Sequence, residues 1–181
     1  MRYLRSLVLN LCLIALVSCS SRPTPSASDP DEIDPLPEPF QEAIQEDPGI
    51  GNLGKGKYQW QVTPVAYYIV GGKVCSIQRY KTGPESAIAP VDLAIRWGEL
   101  ATERHKGKIK WSQGRRWYYW HYTEGTGLSN PLIRQNSSNN HIIPASENVL
   151  KAILSLRPDD VVEVEGLSLI HISEPTRLRR I

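Results

Sequence analysis

The sequence contains little of what marks several classes of protein. Of its 181 residues one is phenylalanine, one is methionine and three are cysteine, and its formal net charge is only +2. This near balance of charge argues against a strongly basic nucleic-acid binder, so no nucleic-acid partner is expected. No apolar run reaches the roughly 20 residues that a membrane-spanning helix needs, which excludes a polytopic membrane protein. Metal-ligand spacings and a glycine-rich phosphate loop are lacking too, so neither a metal nor a cofactor is expected.

The first eighteen residues have the layout of an export signal. Arg2 and Arg5 precede the almost unbroken apolar stretch Leu7–Val17, and the small residues Ser18 and Cys19 follow it. This layout is typical of a secretory signal and is too short for a spanning helix. Residues 16–19 read LVSC, which resembles the lipobox of bacterial lipoproteins. The resemblance implies cleavage before Cys19 and lipidation of its sulfur, with a plain signal peptide as the alternative.

Lipidation at Cys19 makes the membrane an expected partner, because two or three acyl chains hold a protein to a bilayer far better than one. Ser20 and Ser21 follow the cysteine, where an aspartate would resemble an inner-membrane retention signal. The expected address is therefore exported and lipid-anchored. If the host is Gram-negative, the periplasmic face of the outer membrane is favoured.

The last fifteen residues are expected not to be natural protein sequence. Residues 167–177 read LSLIHISEPTR, which is the translation of a transposase-library sequencing adapter, and residues 178–181 fit the index and primer that follow it. Such scars are set aside before the fold is considered. A genuine basic amphipathic tail is the alternative. The natural chain is thus expected to continue past Gly166, and the domain is expected to be C-terminally truncated.

The remaining chain divides into a tether and a domain. Residues 19–56 begin with the lipidated cysteine and carry seven prolines and eight acidic residues against two basic ones. That composition cannot repay the entropy lost on ordering, so a disordered tether is predicted. Residues 57–166 hold all five tryptophans, and basic residues outnumber acidic ones among them. They are predicted to form one globular domain, which is long enough for a modest core.

The pattern of the domain predicts mostly strand with one helix, an α+β fold. The strand-like segments are 65–70, 74–80, 91–97, 108–113, 116–123 and 161–165. A glycine pair at 71–72 predicts a hairpin between the first two segments, and a helix over 91–95 competes with the third strand. Glu147–Leu156 has apolar residues at helical spacing, with Ser146 as its N-cap. Short strands with glycine corners favour a small β-barrel or an OB-like sheet.

Three segments of the domain carry a resemblance. They are PVDL at 90–93 with WG at 97–98, RWYYW at 116–120 and NHIIPA at 140–145. Over about residues 64–166 the chain resembles a family of uncharacterised exported bacterial proteins. The resemblance implies a further C-terminal segment with strand and cysteine content, and it implies no known activity.

Cys75 is a candidate disulfide residue. Once Cys12 has been cleaved off and Cys19 acylated, it is the only thiol left, in a compartment where unpaired thiols are unusual. The resemblance implies a cysteine beyond Gly166 that would pair with it. The alternative is a buried, inert cysteine that packs as a small apolar residue.

A basic segment leads directly into an aromatic strand. Arg115 and Arg116 precede Trp117, and alternation places Tyr119 and His121 on the same face as Trp117. Basic residues beside stacking aromatics are typical of surfaces that bind polyanions or protein partners. In an envelope, a glycan or a protein is the expected ligand. The alternative is an aromatic-rich core strand beside a solvated basic loop.

The segment NNHIIPA at 139–145 resembles the His-x-x-Pro segments of non-specific nucleases and of HNH nucleases. The resemblance implies that His141 is a general base near a metal, with Asn139 and Asn140 as candidates to orient its imidazole. The Asp-Arg-Gly that precedes this histidine in the first family is missing here, and a hydrogen-bonded structural histidine is the alternative. The expected function is a binding or structural module of a tethered lipoprotein. A hydrolase built around His141 is the second expectation.

Overall fold

The computed structural model describes residues 9–13, 37–45, 51–55 and 58–172. These residues form nine strands, two α-helices and three short 3-10 helices. The strands are β1 Leu9–Leu13, β2 Phe40–Ala43, β3 Gly51–Lys55, β4 Tyr58–Arg79, β5 Val91–Arg96, β6 Ile109–Gly114, β7 Trp117–Tyr122, β8 Ser137–Pro144 and β9 Val161–Ile172. The α-helices are α1 Asn130–Gln135 and α2 Glu147–Ser155. The prediction of a mostly β fold with one main helix is confirmed.

Seven strands form one sheet and two form another. In the larger sheet the neighbours run β2–β4–β5–β8–β1–β9, β3 pairs with β4, and β9 pairs with β4 as well. The pairs are antiparallel except that of β1 with β8. β6 and β7 form the smaller sheet. The finer prediction of a small barrel or an OB-like sheet stays a prediction.

The hairpin predicted at residues 71–72 is wrong. β4 runs without interruption through both glycines, pairs with β9 over residues 62–73 and then with β5 over residues 73–79. A Cβ added at Gly72 would collide with the side chain of Ile95 and with the carbonyl of Arg96. Gly72 therefore serves the close approach of β5 and not a turn, which is the other common reason for a glycine inside a strand.

Part of the predicted disordered tether is paired instead. β2 lies along residues 66–69 of β4, and β3 lies along residues 58–62. All four residues of β2 are exposed, so backbone hydrogen bonding to β4, and not apolar burial, accounts for this pairing. The sheet thus begins before residue 57, the predicted start of the domain.

The main core lies between the sheet and α2. The strand predicted over residues 91–97 is present as β5, so the competing helix is wrong, and every residue of β5 is buried. One set of β5 side chains joins the core with Ile153 of α2, and the other set includes Asp92, which the turn between β6 and β7 reaches. Covered on both faces and paired on both edges, β5 has no solvent side.

The strands β6 and β7 and the helix α2 lie where two strands and a helix are predicted. The hairpin turn is Arg115-Arg116, and both residues have positive φ, 53° and 67°. Two-residue hairpin turns favour Asn-Gly for this reason, and each arginine costs about 1 kcal/mol or more in this conformation. The Ser146 side chain accepts a hydrogen bond from the backbone of Val149, as an N-cap does. No described helix is both long and apolar enough to cross a membrane.

The helix α1 was not predicted. Its N-cap Ser129 accepts a hydrogen bond from the backbone of Leu132, and Pro131 lies at the helix start. This Ser-x-Pro start was a usable signal. The helix places Ile133 in a small core with Leu100 and Ile109, against which the inner face of the hairpin packs.

Candidate functional site

The aromatic strand β7 has one exposed face and one packed face. Trp117 and Tyr119 are 56% and 52% exposed, and His121 is exposed beside them. The residues between them, Tyr118 and Trp120, are half-buried. The alternation predicted for Trp117, Tyr119 and His121 is therefore what the structure has.

The packed face is an aromatic layer. The rings of Trp111 and Tyr118 are stacked with centroids 6.0 Å apart, and the rings of Tyr118 and Trp120 lie 5.3 Å apart. The Tyr118 hydroxyl lies 3.1 Å from Oγ of Ser137, and Nε1 of Trp120 donates to Oδ1 of Asn130 at 2.9 Å. These contacts fix the hairpin against β8 and α1, so its outer face is held by rigid neighbours.

The outer face combines aromatic and basic groups. In the register of the hairpin, Lys110 lies opposite His121 and Ser112 lies opposite Tyr119, and both Lys110 and Ser112 are exposed. Arg115 is exposed in the turn. We call Lys110, Arg115, Trp117, Tyr119 and His121 the outer hairpin face. It offers flat rings for stacking beside cationic donors.

Arg116 does not belong to this face, which corrects its place in the predicted binding set. Its Nη1 lies 2.7 Å from Oδ1 of Asp92, and its Nε lies 3.4 Å from Oε2 of Glu85. Its guanidinium stacks 3.9 Å from the ring centre of Tyr80, whose hydroxyl accepts a hydrogen bond from the Arg116 backbone N–H at 3.0 Å. Arg116 therefore anchors the strained turn to the main sheet, while Arg115 faces solvent.

The residue that pairs with Arg116 is a buried carboxylate. Asp92 is fully buried, and its Oδ1 also lies 2.9 Å from Nδ1 of His141. Asp92 and His141 are directly paired in the register of β5 and β8, so the backbone places them together. Burial raises the pKa of Asp92, but the hydrogen bond and charge of His141 together with Arg116 outweigh it, and the net pKa is lowered. Asp92 was not predicted as a site residue, although a charge inside an apolar strand was a signal.

The structure places a carboxylate beside the histidine of the catalytic prediction. A carboxylate at Nδ1 fixes the tautomer of a histidine and leaves Nε2 free, as in hydrolase triads. However, only 11% of the His141 side chain is exposed. A neighbouring groove of about 560 Å3 is lined by Tyr80 and Ile143, and neither His141 nor Asp92 lines it.

Asn139 and Asn140 form hydrogen bonds to neighbouring parts of the fold. Asn139 donates to the Arg116 carbonyl at 3.3 Å and accepts a hydrogen bond from Gln113 at 2.6 Å, so it joins β8 to the hairpin. The Asn140 amide donates to the Leu93 carbonyl at 3.2 Å. Asp92 holds the imidazole of His141 at Nδ1, and the orienting role of Asn139 and Asn140 stays a prediction.

The remaining candidate site residues are Cys75 and Cys19. Burial raises the pKa of the Cys75 thiol to about 12 against the opposing effect of Arg96, so the thiol is a poor nucleophile. No sulfur partner of Cys75 lies among the described residues, and its disulfide stays a prediction. Within the same residues no group of His, Cys, Asp or Glu could hold a metal ion. Cys19 lies outside the described residues.

Of the two candidate sites, the outer hairpin face is the accessible one and the Asp92–His141 pair is the enclosed one. The first offers contact area and charge to a large ligand, whereas the second fixes the position of the hairpin. No protein-family model, curated protein or solved structure matches the chain.

Proposed function

We propose that this protein is a membrane-tethered envelope lipoprotein whose β-rich domain binds an envelope glycan through the outer hairpin face. One observation carries the binding part of the proposal. Trp117 and Tyr119 stand on the same face of β7, both more than half exposed, while Tyr118, which lies between them, is packed. Large aromatic rings that are more than half exposed on one face of a strand are typical of binding surfaces.

The chemistry of the face favours a glycan. Side chains two residues apart on a strand are about 7 Å apart, so two rings form a row along which a sugar chain can lie. The C–H faces of sugars pack on aromatic rings, and hydroxyl or anionic groups find donors in Lys110 and Arg115. A protein partner is the other ligand class to be tested against it.

The Arg115-Arg116 turn supports the proposal, because it holds the outer hairpin face in place before a ligand binds. Arg115 and Arg116 keep a costly backbone conformation because Arg116 is held by Asp92, Tyr80 and Glu85. Backbone strain of this kind persists only where the surroundings enforce it, and it concentrates at functional sites. The conformational entropy of the binding face is then lost on folding and not on ligand binding, which favours affinity.

The first prediction tests the face. The double variant Trp117→Ala with Tyr119→Ala is expected to weaken binding to purified peptidoglycan or lipopolysaccharide at least tenfold. Truncating a central aromatic residue of a binding surface costs about 2 kcal/mol or more, and 1.4 kcal/mol corresponds to a factor of ten. Co-sedimentation with peptidoglycan and titration with lipopolysaccharide measure the change.

The matched control is Tyr67→Ala. Tyr67 is 56% exposed on β4 and lies outside the outer hairpin face, so its loss should leave binding unchanged. Glycan binding that is equally strong in the double variant would contradict the proposed surface. Failure of the wild-type protein to bind either glycan, with capture of a defined envelope protein instead, would move the proposal to a protein ligand.

The second prediction tests the address. Cys19→Ser removes the sulfur on which the lipid would be carried, so the variant is expected to leave the membrane fraction and to lose acyl-chain labelling. One acyl chain gives only reversible membrane contact, whereas two or three chains anchor a protein stably. Fractionation with mass measurement of the mature N-terminus checks it, and Cys75→Ser is the control. A Cys19→Ser protein that stays in the membrane pellet at unchanged mass would contradict lipidation.

A second candidate function is supported by the 2.9 Å contact between Asp92 and His141. A hydrolase that uses His141 as general base would cleave the glycan probes as well as bind them. Cleavage by the wild-type protein that disappears in His141→Gln would favour this candidate. The binding module remains the better-supported function, because 89% of the His141 side chain is covered.

A further inference from the structure

The basic side chains near the outer hairpin face fall into two groups. Between Glu103 and Glu124 the chain has no acidic residue, so these side chains can pair only with acids outside this stretch. Three of them do so, in the pairs of Arg104 with Glu99 at 3.7 Å, of Lys106 with Glu103 at 3.2 Å and of Arg116 with Asp92 at 2.7 Å. Lys110 and Arg115 take part in no ion pair of the described residues. The outer hairpin face therefore keeps two positive charges that no described acid neutralises.

These two charges lie at opposite ends of the exposed aromatic row. Lys110 is opposite His121 in the register of the hairpin, and Arg115 is in the turn that leads to Trp117. A strand rises about 3.3–3.4 Å per residue, so residues 117 and 121 are about 13 Å apart. One acidic group cannot contact both ends over this distance, whereas a chain that carries several acidic groups can.

The strand beside the rings leaves room for such a chain. Gly114 lies opposite Trp117, and Ser112 lies opposite Tyr119. A Cβ added at Gly114 would meet no atom within 4 Å. Because β6 presents no large side chain opposite the two rings, a sugar chain can pack against them and reach the cation at each end.

We propose that the ligand of the outer hairpin face is an acidic glycan, that is, a sugar chain that carries several phosphate or carboxylate groups. Binding of this kind rests on the proposed function of the face as a glycan-binding surface. Contacts with the rings do not distinguish an acidic sugar from a neutral one, whereas the unpaired Lys110 and Arg115 favour the acidic one. Hydrogen bonds from a cation to a phosphate or a carboxylate are about twice as strong as those between neutral groups. The two cations are therefore the specificity-determining residues of the face.

Chemically matched glycans test this selection on the unlipidated full-length chain. Intact lipopolysaccharide is compared with lipopolysaccharide whose phosphates have been removed by hydrogen fluoride. Peptidoglycan is compared with peptidoglycan whose carboxylates have been amidated, so the two pairs distinguish phosphate from carboxylate. The wild-type protein is expected to bind the charged member of at least one pair about tenfold more tightly at low salt, and high salt should reduce the difference by screening.

A pair of charge variants tests the two cations directly. Lys110→Gln with Arg115→Gln leaves both rings in place and is expected to weaken binding to the preferred charged glycan about tenfold, with binding to its neutralised form unchanged. Lys110→Arg with Arg115→Lys keeps both charges and should keep the binding. The control, Lys81→Gln with Lys151→Gln, removes the same net charge from exposed positions outside the face and should also keep it.

The outcomes separate this inference from the proposed function. Equal wild-type affinity for both members of each pair would overturn the acidic ligand, while a loss in Trp117→Ala with Tyr119→Ala would still support a glycan-binding face. Failure to bind any of the four glycans would overturn the proposed function itself. An equal loss in the control variant would overturn the roles of Lys110 and Arg115. Tighter binding of a single-stranded oligonucleotide than of every glycan would overturn the glycan in favour of a nucleic acid.

Discussion

Replacing Asp92 with alanine is expected to lower the free energy of unfolding by about 3–5 kcal/mol. The carboxylate is fully buried and receives both Arg116 at 2.7 Å and His141 at 2.9 Å, so its removal leaves a guanidinium largely buried without its main counter-charge. Breaking a buried ion pair from one side costs about this much. Urea unfolding followed by tryptophan fluorescence at pH 7 measures the loss.

The control is the other acid beside Arg116. Glu85 is 3.4 Å from Nε of Arg116, but its side chain is 61% exposed, and Glu85→Ala should cost no more than about 1 kcal/mol. A similar small loss for both variants would contradict the buried anchor. It would mean that Arg116 and His141 find other partners when Asp92 is gone.

Acid should reproduce part of the Asp92 effect. The pKa of Asp92 is lowered in the folded protein, so its contribution to stability is complete above the ordinary value of 3.8 and is lost as the pH falls through the lower folded value. Asp92→Asn cannot titrate and should lack this acid-dependent loss. The free energy of unfolding is therefore compared between wild type and Asp92→Asn from pH 3.8 downward, and the difference in their pH dependence reports the titration of Asp92.

Gly72→Ala is expected to destabilise the protein by about 2 kcal/mol or more. The added Cβ would meet the side chain of Ile95 and the carbonyl of Arg96, and a backbone atom can move only with its strand. Overpacking of a close-packed interior typically costs about 1–3 kcal/mol. Thermal or urea unfolding of the purified variant measures the change.

Gly71→Ala is the matched control one residue away. A Cβ at Gly71 meets no atom within 4 Å, and its φ is not in the left-handed region, so the change should be neutral or slightly stabilising. Equal losses at Gly71 and Gly72 would show that glycine is needed there for backbone conformation. Close contact with β5 would then not be the reason for the pair.

The local elements were predictable because their signals are local. Alternation along β7 predicts which of its aromatic residues are exposed. The N-cap Ser146 and the apolar residues at helical spacing after it predict α2. The path through Gly71-Gly72 was not predictable, because a glycine pair serves a turn or a close approach equally well. Only the position of Ile95 on a neighbouring strand distinguishes the two.

The candidate site was predictable in part for the same reason. The outer hairpin face follows from the alternation of one strand. The anchor does not, because Asp92, Arg116 and His141 come from three separate strands or turns whose register decides which of them meet. Arg116 is next to Trp117 in sequence, but the structure places its guanidinium 2.7 Å from the buried Asp92.

The long strand β4 bears on the export that we propose for this chain. Residues 62–73 of β4 pair with β9, the last described strand, and residues 73–79 pair with β5. Pairing of distant segments is slow, because the chain must close a long loop before any contact repays the entropy. A nascent chain cannot complete this sheet until its C-terminal strand has been synthesised. For the export proposed above, that delay would keep the chain in the extended form that a translocation channel requires.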